Sequence, residues 1–193
     1  GQLSIKWIEK EINRYLNELL KTDKDYVVAV DTDSVYITMD ELVKSVYGDK
    51  VTDKNKVIDF LDKVCSEQME KIIDKSYEKL ADYMNAFDQK MVMKRENLAD
   101  KALWTSKKRY IMNVYDSEGV RYEEPQLKIM GIEAIRSSTP AACKQKMKDI
   151  FKIIMNGTED DAINYIDEFR KEFSELNAED VFFPRSVRGL TKY

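Results

Sequence analysis

The sequence predicts an α+β fold, in which segments typical of antiparallel strands alternate with segments typical of helices. Apolar and β-branched residues at 26–38 are typical of two strands, and residues 87–129 show the short period of a strand meander. Residues 3–20, 57–83 and 140–176 instead carry apolar side chains at helical spacing. A meander of this kind favours an antiparallel sheet with helices packed against it.

Composition narrows the classes of function. The 193 residues suffice for one domain or one large piece of a bigger protein, and a hydrophobic fraction of 43% allows a packed core. With a net charge of −4, any basic surface for nucleic acid must be local. The lack of histidine excludes Ser-His-Asp triads, histidine general bases and zinc sites with histidine ligands. The two cysteines, Cys65 and Cys143, suit free thiols in a reducing cytosol.

Neither a membrane span nor a signal peptide is visible in the sequence. The chain begins at Gly1 without methionine, so we expect a processed, trimmed or tagged product.

The first half of the chain is expected to be largely helical around one strand pair. Residues 3–20 form a helix that we expect to pack behind the strands at 26–38. Asp40 is placed to cap a short helix through Val46. Residues 57–83 follow as a long scaffold helix, in which we expect Cys65 to be a core thiol.

The second half is expected to contain the meander and then two helices. Its predicted strands cover residues 91–96, 108–115, 120–122 and 127–129. Pro140 opens the next helix, for which Ser138 or Thr139 is the expected cap, and Asn156-Gly157 ends that helix. A further helix is predicted at 159–176.

Two carboxylates separated by one residue lie where the N-terminal strands meet. Because side chains alternate along a strand, Asp31 and Asp33 are expected to share a face. Two negative charges at this separation repel each other. Mg²⁺ relieves such repulsion, since it binds one or two carboxylates together with substrate phosphates. Asp, Ser and Thr are also ordinary turn residues, so a simple acidic turn is the alternative.

A basic cluster, Lys107-Lys108-Arg109-Tyr110, lies in the meander. On an alternating strand, Lys108 and Tyr110 would share one face, while Lys107 and Arg109 would share the other. A lysine beside a tyrosine suits contact with a phosphate and packing on a sugar or base. The alternative is an ordinary solvated surface. The hydroxyls at 137–139 offer a similar choice between binding phosphate and capping the following helix.

The stretch Asp31-Thr32-Asp33-Ser34 resembles the palm signature of family B DNA polymerases. Several later segments match that family in the same order, and the phage branch is similar over essentially the whole chain. The resemblance implies an antiparallel palm-type sheet within a palm portion at 1–139. It also implies that residues 140–193 are helical and begin the thumb, with the segment 185–190 similar to the first thumb residues.

The resemblance also implies roles for individual side chains. Asp31 and Asp33 would be catalytic ligands of two Mg²⁺ ions, and Glu96 in Met93-Lys94-Arg95-Glu96 would be an accessory acidic residue near them. Thr32 and Ser34 would contact the nucleotide. The residues expected to contact primer-template DNA are Lys107, Lys108, Arg109, Tyr110, Lys128, Arg136 and Ser137.

The chain departs from the family pattern in several places. Ala29-Val30 stands where phage members commonly have Tyr-Gly, which affects minor-groove sensing more than metal binding. Only residues 97–103 replace a longer glycine-rich stretch before the basic cluster. The Ser-Leu-Tyr-Pro pattern of the earlier palm segment, the Lys-x-x-x-Asn-Ser-x-Tyr-Gly pattern of the fingers and the exonuclease motifs are absent from the sequence.

Three hypotheses about function follow. The first is a split subunit or cut-out fragment of a DNA-directed DNA polymerase, acting on primer-template DNA and deoxynucleoside triphosphates in the cytoplasm of an infected bacterium. It would be inactive without a complementary chain carrying the exonuclease, first palm segment and fingers. A sliding clamp and self-association through exposed strand edges are further expected contacts.

The second hypothesis is a phosphohydrolase of the haloacid dehalogenase type, with Asp31 as nucleophile. Such enzymes need a later acidic pair after further parallel strands, whereas Asp160-Asp161 follows a helix stop. The third is a non-catalytic scaffold fragment whose acids form a turn.

Overall fold

The computed structural model describes residues 1–49, 53–185, 187 and 189. Its helices and antiparallel strands confirm the predicted α+β class. The chain forms two compact units, the first made of residues 1–98 and 116–121 and the second of residues 99–115 and 122–193. The division into a palm portion and the start of a thumb stays a prediction.

The elements follow one another in this order: α1 (Gln2–Leu20), β1 (Val27–Asp31), β2 (Ser34–Ile37), α2 (Asp40–Tyr47), α3 (Lys54–Val64), a π-helical turn (Cys65–Met69), α4 (Glu70–Tyr83), β3 (Asn97–Ser106), β4 (Arg109–Ser117), β5 (Val120–Met130), a 3-10 turn (Glu133–Ile135), α5 (Ala141–Asn156), α6 (Glu159–Ser174) and α7 (Ala178–Val181). Pairing joins β1 to β2 in one sheet and orders the other sheet β3-β4-β5.

The core of the first unit lies between α1, α4 and the β1–β2 hairpin. Helix α1 buries a stripe at spacings of three and four residues, consisting of Ile5, Ile8, Ile12 and Leu16. The indole of Trp7 donates a 3.0 Å hydrogen bond to the carbonyl of Ser76, which ties α1 to α4. Both strands of the hairpin contact α1, as predicted. The apolar face of α1 therefore fixes the position of the acidic turn.

The long scaffold helix is interrupted by a π-helical turn at Cys65–Met69. It begins earlier than predicted, because the side chain of Asp53 caps it by accepting from the backbone N–H groups of Asn55 and Lys56. Burial raises the pKa of Cys65 to about 11. The thiol therefore stays protonated at neutral pH, although Cys65 is half-buried at the edge of the core rather than within it.

The three-stranded sheet is a meander with β4 at its centre. Strand β4 is mostly buried, whereas most residues of β3 are exposed. The β4–β5 turn has Glu118 at φ 52° and Gly119 at φ 88°, which matches a two-residue hairpin turn with both central residues left-handed. Pro125 is tolerated in β5 because that strand lies at an edge of the sheet.

Several sequence predictions are wrong in detail. Residues 91–96 form no strand, and β3 begins only at Asn97. Residues 127–129 belong to the single continuous strand β5. Asp40 is the first residue of α2 rather than its cap, a place that Met39 occupies. The N-cap of α5 is Pro140, and no side chain caps that helix.

The C-terminal helices agree more closely with the sequence. Helix α5 ends before Gly157, and α6 begins with a capping box in which Thr158 and Asp161 exchange hydrogen bonds. Part of the 185–190 segment expected to begin the thumb lies outside the described residues. Among the described helices, none has both the length and the apolar character needed to cross a membrane.

Candidate functional site

The acidic turn closes the β1–β2 hairpin of the first unit. Asp31 ends β1 and pairs with Ser34 at the start of β2, so that Thr32 and Asp33 are the two turn residues. The prediction that Asp31 and Asp33 share a strand face is therefore wrong, because Asp33 does not belong to a strand. Asp31 ends β1, and Asp33 is the second residue of the turn. The antiparallel return of β2 also disagrees with the phosphohydrolase hypothesis, which needs further parallel strands after the acidic pair.

The backbone of this turn is strained at Thr32, which has φ 41°. A left-handed conformation is unusual for a β-branched residue and costs of order 1–3 kcal/mol. The Thr32 hydroxyl donates a 3.0 Å hydrogen bond to Oδ1 of Asp31. Thr32, which the surrounding hairpin holds in this unusual conformation, thus has a carboxylate residue on each side.

Asp33 is exposed. Burial and, second, the negative charge of Asp33 raise the pKa of the Tyr77 hydroxyl on α4. Asp31 and Ser34 are half-buried at the ends of the two strands. The turn therefore presents one exposed and one partly covered acid.

The oxygens of this turn fit a hard divalent cation. Two carboxylates with neighbouring hydroxyls match what Mg²⁺ binds when substrate phosphates complete its coordination. The described residues assemble no group of three or more Asp, Glu, Cys or His side chains able to hold a metal. The role of Glu96 near the metals consequently stays a prediction.

An ion-pair network that was not predicted from the sequence lies next to Glu96. The guanidinium of Arg95 bridges Asp116, with which it makes a short hydrogen bond, and Asp62 at 2.6 Å. Arg121 contacts Asp116 at 3.3 Å and Asp59 at 2.9 Å. The network therefore joins the β4–β5 turn to α3.

Asp116 is the centre of this network, with a side chain only 3% exposed. Burial acts to raise its pKa, but hydrogen bonds from Arg95, Gly119 and Arg121 outweigh burial and hold the pKa below the usual value. The Glu118 N–H donates a 2.6 Å hydrogen bond to the carbonyl of Glu96. The backbone of Glu96 is therefore held to the β4–β5 turn that Asp116 organises.

The basic cluster forms the β3–β4 hairpin turn of the second unit. Lys107 and Lys108 are exposed turn residues, and Lys108 has φ 62°. The prediction that Lys108 shares a strand face with Tyr110 is therefore wrong, because only Arg109 and Tyr110 belong to β4. We call residues 107–110 the basic hairpin.

The side chains of Arg109 and Tyr110 face local partners. Arg109 makes an ion pair with Glu133. Tyr110 is 8% exposed, and its ring lies 6.0 Å from that of Trp104. Burial leaves little of this ring for a sugar or base, so its contact with DNA stays a prediction that the geometry does not favour.

The remaining predicted DNA contacts lie around the end of β5. Lys128 is half-buried in β5, whereas Arg136 and Ser137 are exposed after the 3-10 turn. Arg136 contacts Glu133 at 3.7 Å. The hydroxyl of Thr139 donates a 2.6 Å hydrogen bond to the carbonyl of Glu133, which explains why it does not cap α5. Basic side chains from two separate stretches therefore gather around Glu133.

Comparison with known proteins gives consistent results. A family model described as Divergent Family B DNA polymerase matches residues 7–175. Over 202 residues the chain is 36% identical to the DNA-directed DNA polymerase of Enterobacteria phage T4 and 40% identical to that of Escherichia phage RB69. Both alignments cover 100% of this chain and 22% of the relative. The chain thus spans about a fifth of the length of the curated relatives it matches.

Proposed function

Since this chain belongs to the divergent family B DNA polymerases, we propose that it supplies the later palm segment, residues 1–139, and the start of the thumb, residues 140–193, of a DNA-directed DNA polymerase. The observation that carries the proposal is the Asp31-Thr32-Asp33-Ser34 turn, found at a strained hairpin tip within the part of the chain that matches the family.

Asp31 and Asp33 bind Mg²⁺ in this proposal. Mg²⁺ held there would supply Lewis-acid stabilisation of the negative charge at the primer 3′-hydroxyl and on the transferred phosphate. The chain's own contribution is to hold the two carboxylates on one short turn, with Thr32 and Ser34 beside the nucleotide. Glu96 acts as an accessory acid in this proposal, a role that rests on the family resemblance, and its backbone carbonyl is held by the N–H of Glu118 in the β4–β5 turn.

The basic hairpin holds the primer-template duplex. Lys107 and Lys108 are exposed at its tip, and their ammonium groups suit sequence-neutral contact with phosphates. Arg109, Lys128, Arg136 and Ser137 complete the proposed DNA-binding set, and the buried Tyr110 supports the hairpin from behind. A local basic surface of this kind allows DNA binding despite the overall charge of −4.

Polymerisation also requires the parts of the enzyme that this chain does not cover. The relatives are almost five times longer. We therefore include in the proposal a complementary polypeptide with the exonuclease, first palm segment and fingers, and a sliding clamp as a further partner. The open edges of the two sheets are where that polypeptide, or a second copy of the chain, would pair. The setting is the cytoplasm of a phage-infected bacterium.

Primer extension by the assembled polymerase with Asp33→Ala tests this function. Metal stabilisation of the transition state is worth several kcal/mol, so we expect kcat to fall by at least about 10³-fold. Asp88→Ala, which removes an exposed acid of the same unit, is the matched control and should retain activity. Normal extension by Asp33→Ala, with the fold intact by circular dichroism, would show that the site is assigned wrongly.

A further inference from the structure

Residues 131–133 lie directly behind the basic hairpin in the second unit, and we call them the support segment. We propose that Gly131 is a positioning residue for DNA binding, which seats the Lys107–Lys108 turn so that both ammonium groups reach the DNA backbone. The inference rests on the proposed function, because it assigns a determinant of the DNA contact made by the basic hairpin.

The first argument is steric. Gly131 has φ 66°, and a Cβ atom there would lie 2.1 Å from the carbonyl oxygen of Lys108 and 3.3 Å from Cγ of Arg109. Such a separation from a backbone oxygen is impossible, so any side chain at 131 must displace the hairpin. The carbonyl group of Lys108 thus packs directly on Gly131, and Lys108 itself is left-handed at φ 62°, a conformation with a narrow allowed range for a residue with a side chain.

The second argument concerns the other end of the support segment. Glu133 pairs with Arg109 at the base of the hairpin and with Arg136 beyond the segment. The backbone carbonyl of Glu133 accepts a hydrogen bond from the hydroxyl of Thr139, a residue that is only 8% exposed. Glu133 is thereby anchored on one side and holds Arg109 on the other. Contact at Gly131 and pairing at Glu133 together fix both the tip and the base of the hairpin.

The basic residues of this region occupy two different environments. Arg109 and Arg136 pair with Glu133, and Lys107 and Lys108 are the two exposed residues of the turn. Displacement of the tip should therefore remove phosphate contacts without changing any charge. The loss is measurable in the salt dependence of DNA binding. The logarithm of the binding constant falls linearly with the logarithm of the salt concentration, and the steepness of this line, the salt slope, is proportional to the number of phosphates that a protein contacts.

The experiment measures binding of primer-template DNA to the assembled polymerase across a range of salt concentrations. Lys107→Ala/Lys108→Ala should lower the salt slope by about two units, since each lost phosphate contact lowers it by about one. Gly131→Ala should lower it by one to two units, although no charge is removed. A purely structural effect would reduce only the folded fraction, which weakens binding equally at all salt concentrations and leaves the slope unchanged.

Gly48→Ala is the matched control. Gly48 is also left-handed, at φ 74°, but a Cβ atom there would meet nothing within 4 Å. Alanine there also takes a positive φ but meets no neighbouring atom, and the salt slope of this variant should equal that of the wild type. A wild-type slope in folded Gly131→Ala, together with a lowered slope in the lysine double variant, would overturn the positioning proposal alone. An unchanged slope in the double variant would overturn the DNA contact and, with it, the positioning proposal.

Glu133→Gln keeps the inference testable if Gly131→Ala does not fold. Glu133 is partly exposed, and the substitution preserves its shape. If Glu133 merely neutralised nearby cations, losing its charge would strengthen DNA binding and steepen the slope. Loss of positioning predicts a shallower slope instead. A steeper slope would overturn the proposal.

Discussion

Asp116→Asn should destabilise the first unit strongly. The substitution removes a carboxylate that is 3% exposed and bonded to both Arg95 and Arg121. Breaking a buried ion pair by removing one partner costs about 3–5 kcal/mol. Since each arginine keeps a second carboxylate, Asp62 or Asp59, we expect the lower end, about 3 kcal/mol. For a chain of this size the unfolding midpoint should fall by roughly 6–12 °C.

The fluorescence of Trp7 reports this unit by itself. Trp7 belongs to the first unit and Trp104 to the second, so a Trp104→Phe background leaves one reporter in the unit that contains Asp116. Glu18→Gln is the matched control, because it removes a partner of Arg14 from an exposed helical pair in the same unit. Such pairs contribute about 0–1 kcal/mol. A loss in Asp116→Asn no larger than in this control would refute the reasoning.

The pH dependence provides a second check with a definite sign. The pKa of folded Asp116 lies below its usual value, so its ionised form stabilises the fold at neutral pH. This contribution begins to disappear below about pH 4, near the usual pKa of an unfolded aspartate, and is lost as the pH falls through the folded pKa. The difference in unfolding free energy between wild type and Asp116→Asn should be constant from pH 6 to 8 and shrink in acid. A constant difference at low pH would contradict the assignment.

Three further predictions concern single side chains. Lys108→Ala should weaken primer-template binding without sequence preference and lower the salt slope by about one unit. An unchanged slope would favour the alternative that Lys108 belongs to an ordinary solvated surface. Asp33→Ala should leave the free energy of unfolding undiminished, because one charge leaves a repelling pair, and should lower the pKa of Tyr77 measured by NMR. The Cys65 thiol should react slowly with a disulfide reagent at pH 8, since its pKa is about 11, and fast reaction in the folded chain would contradict its burial.

The acidic hairpin was predictable because local rules decide it. Two β-branched runs on either side of Asp-Thr-Asp-Ser indicate strands and a turn, and the periodic apolar stripe of α1 indicates the surface behind them. The relation between Asp31 and Asp33 was not predictable from alternation. Whether a turn takes two residues or four decides which residues still belong to the strands.

The predicted strand at 91–96 failed because tertiary contacts override local preference. Met91 and Met93 have the apolar alternation of a strand, but both pack against the core of the first unit without a partner strand. Arg95 then turns its side chain toward Asp116, 21 residues later in the sequence. No periodicity in the sequence reveals a pair of this kind.

The basic hairpin shows why a turn without the usual residues is missed. Two-residue hairpin turns favour Asn, Asp and Gly, whereas this one consists of Lys107 and Lys108. The cluster therefore resembled a strand. The left-handed Lys108 fits because Gly131, 23 residues later, leaves room for its carbonyl.

Template-directed primer extension by the purified chain, with and without a polypeptide carrying the exonuclease, first palm segment and fingers, tests the central claim most directly. The chain supplies the two aspartates of the acidic turn and the basic hairpin, but its sequence lacks the earlier palm and fingers patterns. Phosphoryl transfer depends almost wholly on positioning and charge stabilisation, so an incomplete site should be inactive. We predict extension only with the added polypeptide. Extension by the chain alone, lost in Asp33→Ala, would contradict the account.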